Sequence, residues 1–163
     1  MPDNGTYIGR RHGFINLNPG NEKVMRDAPK SASEVRASEL RSVLRELNGS
    51  STDIEASACI SSDGYTIASV MGPGVDPDRF GAMCASLLAL AHRAGQEINR
   101  GNLKLVLVEG ELGIMLLVHA GPDAILAVAA KPSKNLGKII LDSRKIALKL
   151  LEVLDLNKLK ANS

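Results

Sequence analysis

The sequence is poor in aromatic residues: tryptophan is absent, and phenylalanine and tyrosine contribute two residues each to a chain of 163. Proteins that bind single-stranded nucleic acids stack the bases on aromatic side chains, so this composition argues against that function. The core must instead be aliphatic, because apolar residues still make up 44% of the chain. Such a composition and length are typical of one globular domain with additional terminal residues.

Concentrated positive charge and long apolar runs are missing too. The formal net charge is +2 and the basic residues are scattered, whereas phosphate binding needs a basic face. No apolar run reaches the ~18 residues of a membrane span, and the first residues lack the apolar segment of a signal peptide. The two cysteines, Cys59 and Cys84, show no CxxC spacing, as in reduced proteins. We expect a cytoplasmic protein that neither binds nucleic acid nor inserts into membranes.

Catalytic and cofactor-binding motifs are also lacking. The histidines, His12, His92 and His119, fit no zinc-ligand spacing, and no HExxH or GxSxG segment is present. The segment PSKNLGKII resembles the end of a phosphate-binding loop, but Pro132 and Ile139 stand where that loop needs a glycine and a hydroxyl residue. The sequence therefore predicts no catalytic residue, no cofactor and no metal site.

Hydrophobic periodicity divides the chain into three parts. Residues 1–33 show little periodicity and are rich in glycine, asparagine, proline, lysine and serine, which predicts a flexible N-terminal extension. Residues 34–158 predict one domain with the element order α-β-β-α-β-β-β-α, and residues 159–163 a short tail. Asp63-Gly64, between the first two strand patterns, is a typical hairpin turn.

The strand patterns predict a sheet that is covered on both sides. GIMLLVHA and AILAVAA are apolar at nearly every position, whereas a sheet with one wet face alternates between apolar and polar residues. We therefore expect a mixed α/β (α+β) fold, a five-stranded, mainly antiparallel sheet with helices on both faces. The preceding strand, LKLVLVE, is long and apolar with two charged residues. If this strand lies at an edge, it is prone to pair with another chain.

The helix predicted from Pro77 to Asn99 carries many small residues. On a projection at 100° per residue, an arc that includes Phe80 and Met83 faces the sheet, and the adjoining arc is flat and weakly polar. Helix propensity explains some of the alanines, but not Gly81 or Gly95, which each cost about 1 kcal/mol relative to alanine. We expect a second copy of the helix to pack on the adjoining arc across a two-fold axis. The predicted dimer interface comprises Gly81, Ala85, Leu88, Ala89, His92 and Gln96, with Leu103, Leu105 and Leu107 of the next strand.

The whole pattern resembles a roadblock/dynein light chain domain over residues 36–155. The resemblance rests on the element order, the hairpin SSDGYTIAS, the alanine-rich central helix and the closing helix LGKIILDSRKIALKLLEVL. It implies a homodimer with a sheet continuous through the third strands and with paired central helices. It also implies a non-catalytic regulator or scaffold of a small Ras-like GTPase. The residues we expect to contact that partner lie on the polar arc of the central helix: Ser86, Arg93, Glu97 and Arg100.

Two other interpretations remain open. A solvated helix face that binds no partner would show the same polar arc. The domain is also compatible with a small-molecule sensor, which needs a cavity with convergent polar groups. The aliphatic strands offer few such groups, so we rank the sensor below the GTPase regulator and an enzyme lowest.

Overall fold

The order of the secondary structure elements is the predicted one in the computed structural model, which describes residues 30–163. The predicted extension, residues 1–33, thus lies almost entirely outside the described residues. The last helix continues through most of the predicted tail. The elements are α1 (Ala32–Ser50), β1 (Ile54–Ser61), β2 (Thr66–Val70), α2 (Pro77–Glu97), β3 (Leu105–Gly110), β4 (Gly113–His119), β5 (Ala124–Ala130) and α3 (Leu136–Ala161).

Local sequence signals set the starts of α1 and α2. Ser31 Oγ accepts a hydrogen bond from the Glu34 N–H at 3.2 Å, and the Ser31 N–H donates to Glu34 Oε2 at 2.7 Å. This capping box satisfies N–H groups that have no partner within the helix. At α2, Asp76 accepts from two backbone N–H groups of the first turn, and Pro77 occupies the first helical position, where its missing N–H is harmless. α2 ends two residues before the predicted Asn99.

The five strands form one sheet in the order β2-β1-β5-β4-β3, with every neighbouring pair antiparallel. β3 is an edge strand, as its position at the start of a hairpin predicted. In β5, which lies at the centre of the sheet, six of the seven residues are buried. The strands that are apolar on both faces are therefore the interior ones, because only they are covered from both sides.

The helices cover the two faces unequally. α1 and α3 pack side by side on one face, here called the α1/α3 face, and α2 lies alone on the other, the α2 face. Both cores are largely aliphatic, as the composition requires. The α1/α3 core includes Leu40, Leu44, Leu116, Leu126 and Leu150, and the α2 core includes Ile60, Cys84, Leu88, Leu117 and Ile125.

α2 is rotated relative to the predicted orientation: Phe80 and Cys84 pack in the α2 core as predicted, but Met83 does not. Its buried residues are Gly81, Cys84 and Leu88, whereas Met83 is 54% exposed. The cause is a close approach to the β1–β2 hairpin: a Cβ on Gly81 would lie 2.5 Å from the carbonyl oxygen of Gly64. Gly81 and Leu88 therefore pack within this chain's own fold. Their burial against this chain's own sheet contradicts the prediction that they lie on the surface between two copies.

Adding a methyl group to the two glycines of α2 should have opposite effects on stability. Gly81→Ala should lower the free energy of unfolding by about 1–3 kcal/mol, because the hairpin backbone would have to move. A Cβ on Gly95 meets no atom of the described residues within 4 Å, so Gly95→Ala should raise the free energy of unfolding by up to about 1 kcal/mol. Urea denaturation of both variants measures the difference. Equal effects would contradict this placement of α2.

Both cysteines are free and buried. Burial raises the pKa of Cys59 to about 12, opposed in part by the charge of Arg36, and burial raises the pKa of Cys84 to about 11. In an unfolded chain a thiol has a pKa of about 8.5. The unfolded state therefore loses its thiol protons first. The contribution of these neutral thiols to the free energy of unfolding is therefore fully present below about pH 8.5. It is lost as the pH rises through the folded-state pKa values.

We expect a thiol reagent at pH 8 to modify the folded protein at least a hundredfold more slowly than the protein in denaturant. The free energy of unfolding should also fall as the pH rises from about 9 to 11. A Cys59→Ala, Cys84→Ala double variant is the control, because it removes these two ionisations and should show a smaller decline. Rapid modification of the folded protein would contradict the burial of the thiols.

Candidate protein interface

α2 leaves part of its own sheet face uncovered. The helix packs chiefly over β1 and β2, at the side of the sheet opposite β3. Val106 and Met115 are only partly buried at the margin of the α2 core. Val108 pairs with Met115 and follows Val106 by two residues, so it lies on the same face. Val108 is 40% exposed. The β3–β4 side of the α2 face is thus apolar and open.

The edge strand β3 borders this open area. Its last four residues are exposed, Glu109 is its one charged residue, and no proline interrupts it. Leu107 is 37% exposed, on the α1/α3 face. Leu103 and Leu105 are half-buried at the margins of the two cores. A straight apolar edge of this kind presents unpaired backbone N–H and C=O groups to a further strand.

The outward side of α2 carries both apolar and polar side chains. Met83 and Leu90 are 54% and 66% exposed, which is a large apolar area for a surface helix. The predicted polar arc is found there as well: Ser86, Arg93 and Glu97 are exposed. The Ser86 hydroxyl donates to the carbonyl oxygen of Ala82 at 2.9 Å. Arg93 and Glu97 form no ion pair with any residue that the structure describes.

Arg100, the last member of that arc, lies beyond the helix. Its backbone N–H donates to the carbonyl oxygen of Gly95 at 2.8 Å, and Asn99 before it has a φ of 56°. Asparagine tolerates this left-handed conformation, which ends helices. Arg100 is exposed, but it is separated from the other three residues by the end of the helix.

The remaining residues of the predicted interface lie on the flank of α2 that faces the β4–β5 turn. Ala89 and Gln96 are exposed, and Ala85 and His92 are half-buried. Ala85, Ala89 and His92 line a cavity of about 270 Å³ together with His119. No local sequence signal predicts that these two histidines line one cavity, because strand pairing and the crossing of α2 place them there.

Two kinds of site are not formed by the described residues. Within residues 30–163 no three histidine, cysteine or carboxylate side chains cluster as metal ligands would. None of the three helices in that range is long and apolar enough to cross a membrane.

The chain belongs to the Roadblock/LC7 domain family, whose profile matches residues 41–130. An uncharacterized protein of Methanocaldococcus jannaschii, MJ1340, is 37% identical over 108 residues, which are 66% of this chain and 93% of the relative. The fold is similar to a Roadblock/LC7 domain from Streptomyces avermitilis, with a TM-score of 0.66 and 19% identity over 71% of this chain and 98% of that one. MglB from Myxococcus xanthus gives a TM-score of 0.67 and 16% identity over 74% of this chain and 90% of that one. The resemblance inferred from the element order is thereby confirmed.

Proposed function

We propose that the protein is a homodimer that joins two β3 strands in an antiparallel pair. The observation that carries this proposal is the coincidence of an unprotected apolar edge with an uncovered apolar area beside it. Pairing through β3 satisfies the free backbone groups of the edge. An isologous contact of this kind closes on itself, so no further edge is left at the joint.

Symmetry determines where the helices then lie. Antiparallel pairing of two identical strands about an axis perpendicular to the sheet keeps both α2 helices on the same face. The open apolar areas of the two copies then adjoin across the joint, because each lies over β3 and β4 of its own copy. Val108, which is 40% exposed in one copy, loses part of its exposure to water at this joint. Burial of apolar area at about 25 cal/mol per Å² favours it.

A charge at Val108 should break this dimer. Val108→Glu places a carboxylate beside the joined β3 strands and should weaken association by about 3 kcal/mol. Leu148→Glu is the control, because it adds the same charge at an exposed apolar residue that lies on α3, across the sheet. Sedimentation equilibrium should show a dimer for the native chain and for Leu148→Glu. A monomeric native chain, or equal weakening by both substitutions, would reject the interface.

We further propose that the dimer regulates a small Ras-like GTPase and does no chemistry itself. Membership of the Roadblock/LC7 family supports this role, as does the likeness to MglB. A two-fold axis duplicates the exposed Ser86, Arg93 and Glu97, which gives the dimer an extended polar helical surface. A regulator shifts a two-state switch only through different affinities for its two states. We therefore expect tighter binding to the GTP-loaded form, whose switch loops are ordered.

Charge reversal on α2 tests this contact. Arg93→Glu should raise the Kd for the GTP-loaded GTPase about tenfold, or ~1.4 kcal/mol, and should leave the dimer intact. Arg144→Glu is the control, because it makes the same change on an exposed position of α3. Calorimetry with small GTPases of the source cell, loaded with a non-hydrolysable GTP analogue or with GDP, measures both. Equal affinity for the two forms would reduce the role to a scaffold, and no binding to any of them would reject it.

A further inference from the structure

A second cavity lies on the opposite side of the sheet from α2. It has a volume of about 360 Å³ and opens between the β1–β2 hairpin, the β4–β5 turn and the ends of α1 and α3 that meet there. This volume is within the range of cavities that hold small ligands. Its wall combines aliphatic side chains with charged groups of both signs, which the strand sequences alone did not indicate.

Arg36, in the second turn of α1, supplies a cation without a partner. Its side chain is half-buried, and its Nε is buried with no hydrogen-bond acceptor. No ion pair joins it to a described carboxylate. Buried guanidinium N–H groups are normally hydrogen-bonded. The planar guanidinium group has N–H donors whose geometry matches the two oxygens of a carboxylate. A negatively charged acceptor would therefore satisfy the Arg36 side chain.

Carboxylates stand across the same cavity. Asp123 forms an ion pair with Lys158 at 2.7 Å, and Asp63 accepts a hydrogen bond from Ser61 Oγ at 2.5 Å. Asp155 accepts no hydrogen bond from any described residue and also lines the cavity. With three aspartates against Arg36 and Lys158, the wall has a formal charge of −1. A simple anion would be repelled by the aspartates, whereas a ligand with both charges can satisfy Arg36 and Asp155 together.

The aliphatic part of the cavity wall favours a ligand that carries an apolar side chain. Ile67, Leu151 and Leu154 line the cavity beside these charged groups. Leu154 is 9% exposed and belongs to the α1/α3 core, so this wall is held rigidly by packing. An apolar side chain on the ligand would be removed from water against it.

We propose that this cavity binds a free α-amino acid with an apolar side chain. Arg36 binds the carboxylate, Asp155 binds the ammonium group, and the aliphatic wall takes the side chain. The site is independent of the proposed dimer and of any GTPase, since it lies on the other face of the sheet.

Calorimetry on the full chain with L-leucine and L-phenylalanine tests the proposal. We expect saturable binding, at least tenfold weaker for 4-methylpentanoate, which lacks the ammonium group, and for 3-methylbutylamine, which lacks the carboxylate. Inorganic phosphate is the probe for a plain anion site. Absence of binding at millimolar amino acid would overturn the proposal. Equal affinity for either analogue, or for phosphate, would overturn it as well.

Two variants test which residue binds each charged group of the amino acid. Arg36→Met should weaken amino acid binding at least tenfold, with Arg45→Met, an exposed arginine of the same helix, as the matched control. Asp155→Asn, at an exposed position, should weaken the amino acid but not the carboxylate-only analogue, and it keeps the test informative if Arg36→Met fails to fold. Unchanged amino acid binding in both Arg36→Met and Asp155→Asn would reject the assignment. Val108→Glu should bind the amino acid normally, so failure of the dimer and failure of this site are distinguishable.

Discussion

The close approach of α2 to the β1–β2 hairpin determines how the rest of this face is arranged. A side chain at Gly81 would collide with the Gly64 carbonyl, and the Thr66 hydroxyl donates to the carbonyl oxygen of Pro77 at 2.6 Å. These contacts hold the first turns of the helix against the hairpin and fix its rotation. Because Gly81, Cys84 and Leu88 face inward, the opposite side of the helix, with Leu90, is left to solvent.

Unequal cover of the two faces is the reason why we propose an interface on one side of the molecule. Two helices pack on the α1/α3 face, whereas α2 alone covers the other. One helix is about 10 Å wide and strands are spaced at about 4.8 Å, so a single helix shields roughly two strands of five. The rest of that face, at β3 and β4, is apolar but has no cover of its own. In the proposed dimer the two uncovered areas adjoin at the joined β3 strands.

The β1–β2 hairpin lies between the two surfaces to which we assign functions. Asp63 lines the cavity on the α1/α3 face, and the next residue, Gly64, packs under α2. The polar groups of the cavity come from α1, two turns and α3, which are far apart in sequence. A small ligand and a protein partner would thus occupy opposite faces of one sheet while sharing a four-residue turn.

The sequence by itself determined the element order, the aliphatic core and the caps, because hydrophobic period, composition and turn residues are local properties. It also placed β3 at an edge and identified the family, and it put Ser86, Arg93 and Glu97 on the exposed side of α2. Tertiary structure alone decided the rotation of α2, which moved Gly81 and Leu88 inward and Met83 outward. A helical projection spaces residues around an axis but does not fix which angle faces the sheet. The placement of His92 and His119 in one cavity wall, and of Arg36 and Asp155 in another, likewise required strand order and helix crossing, which bring distant residues together without any local signal.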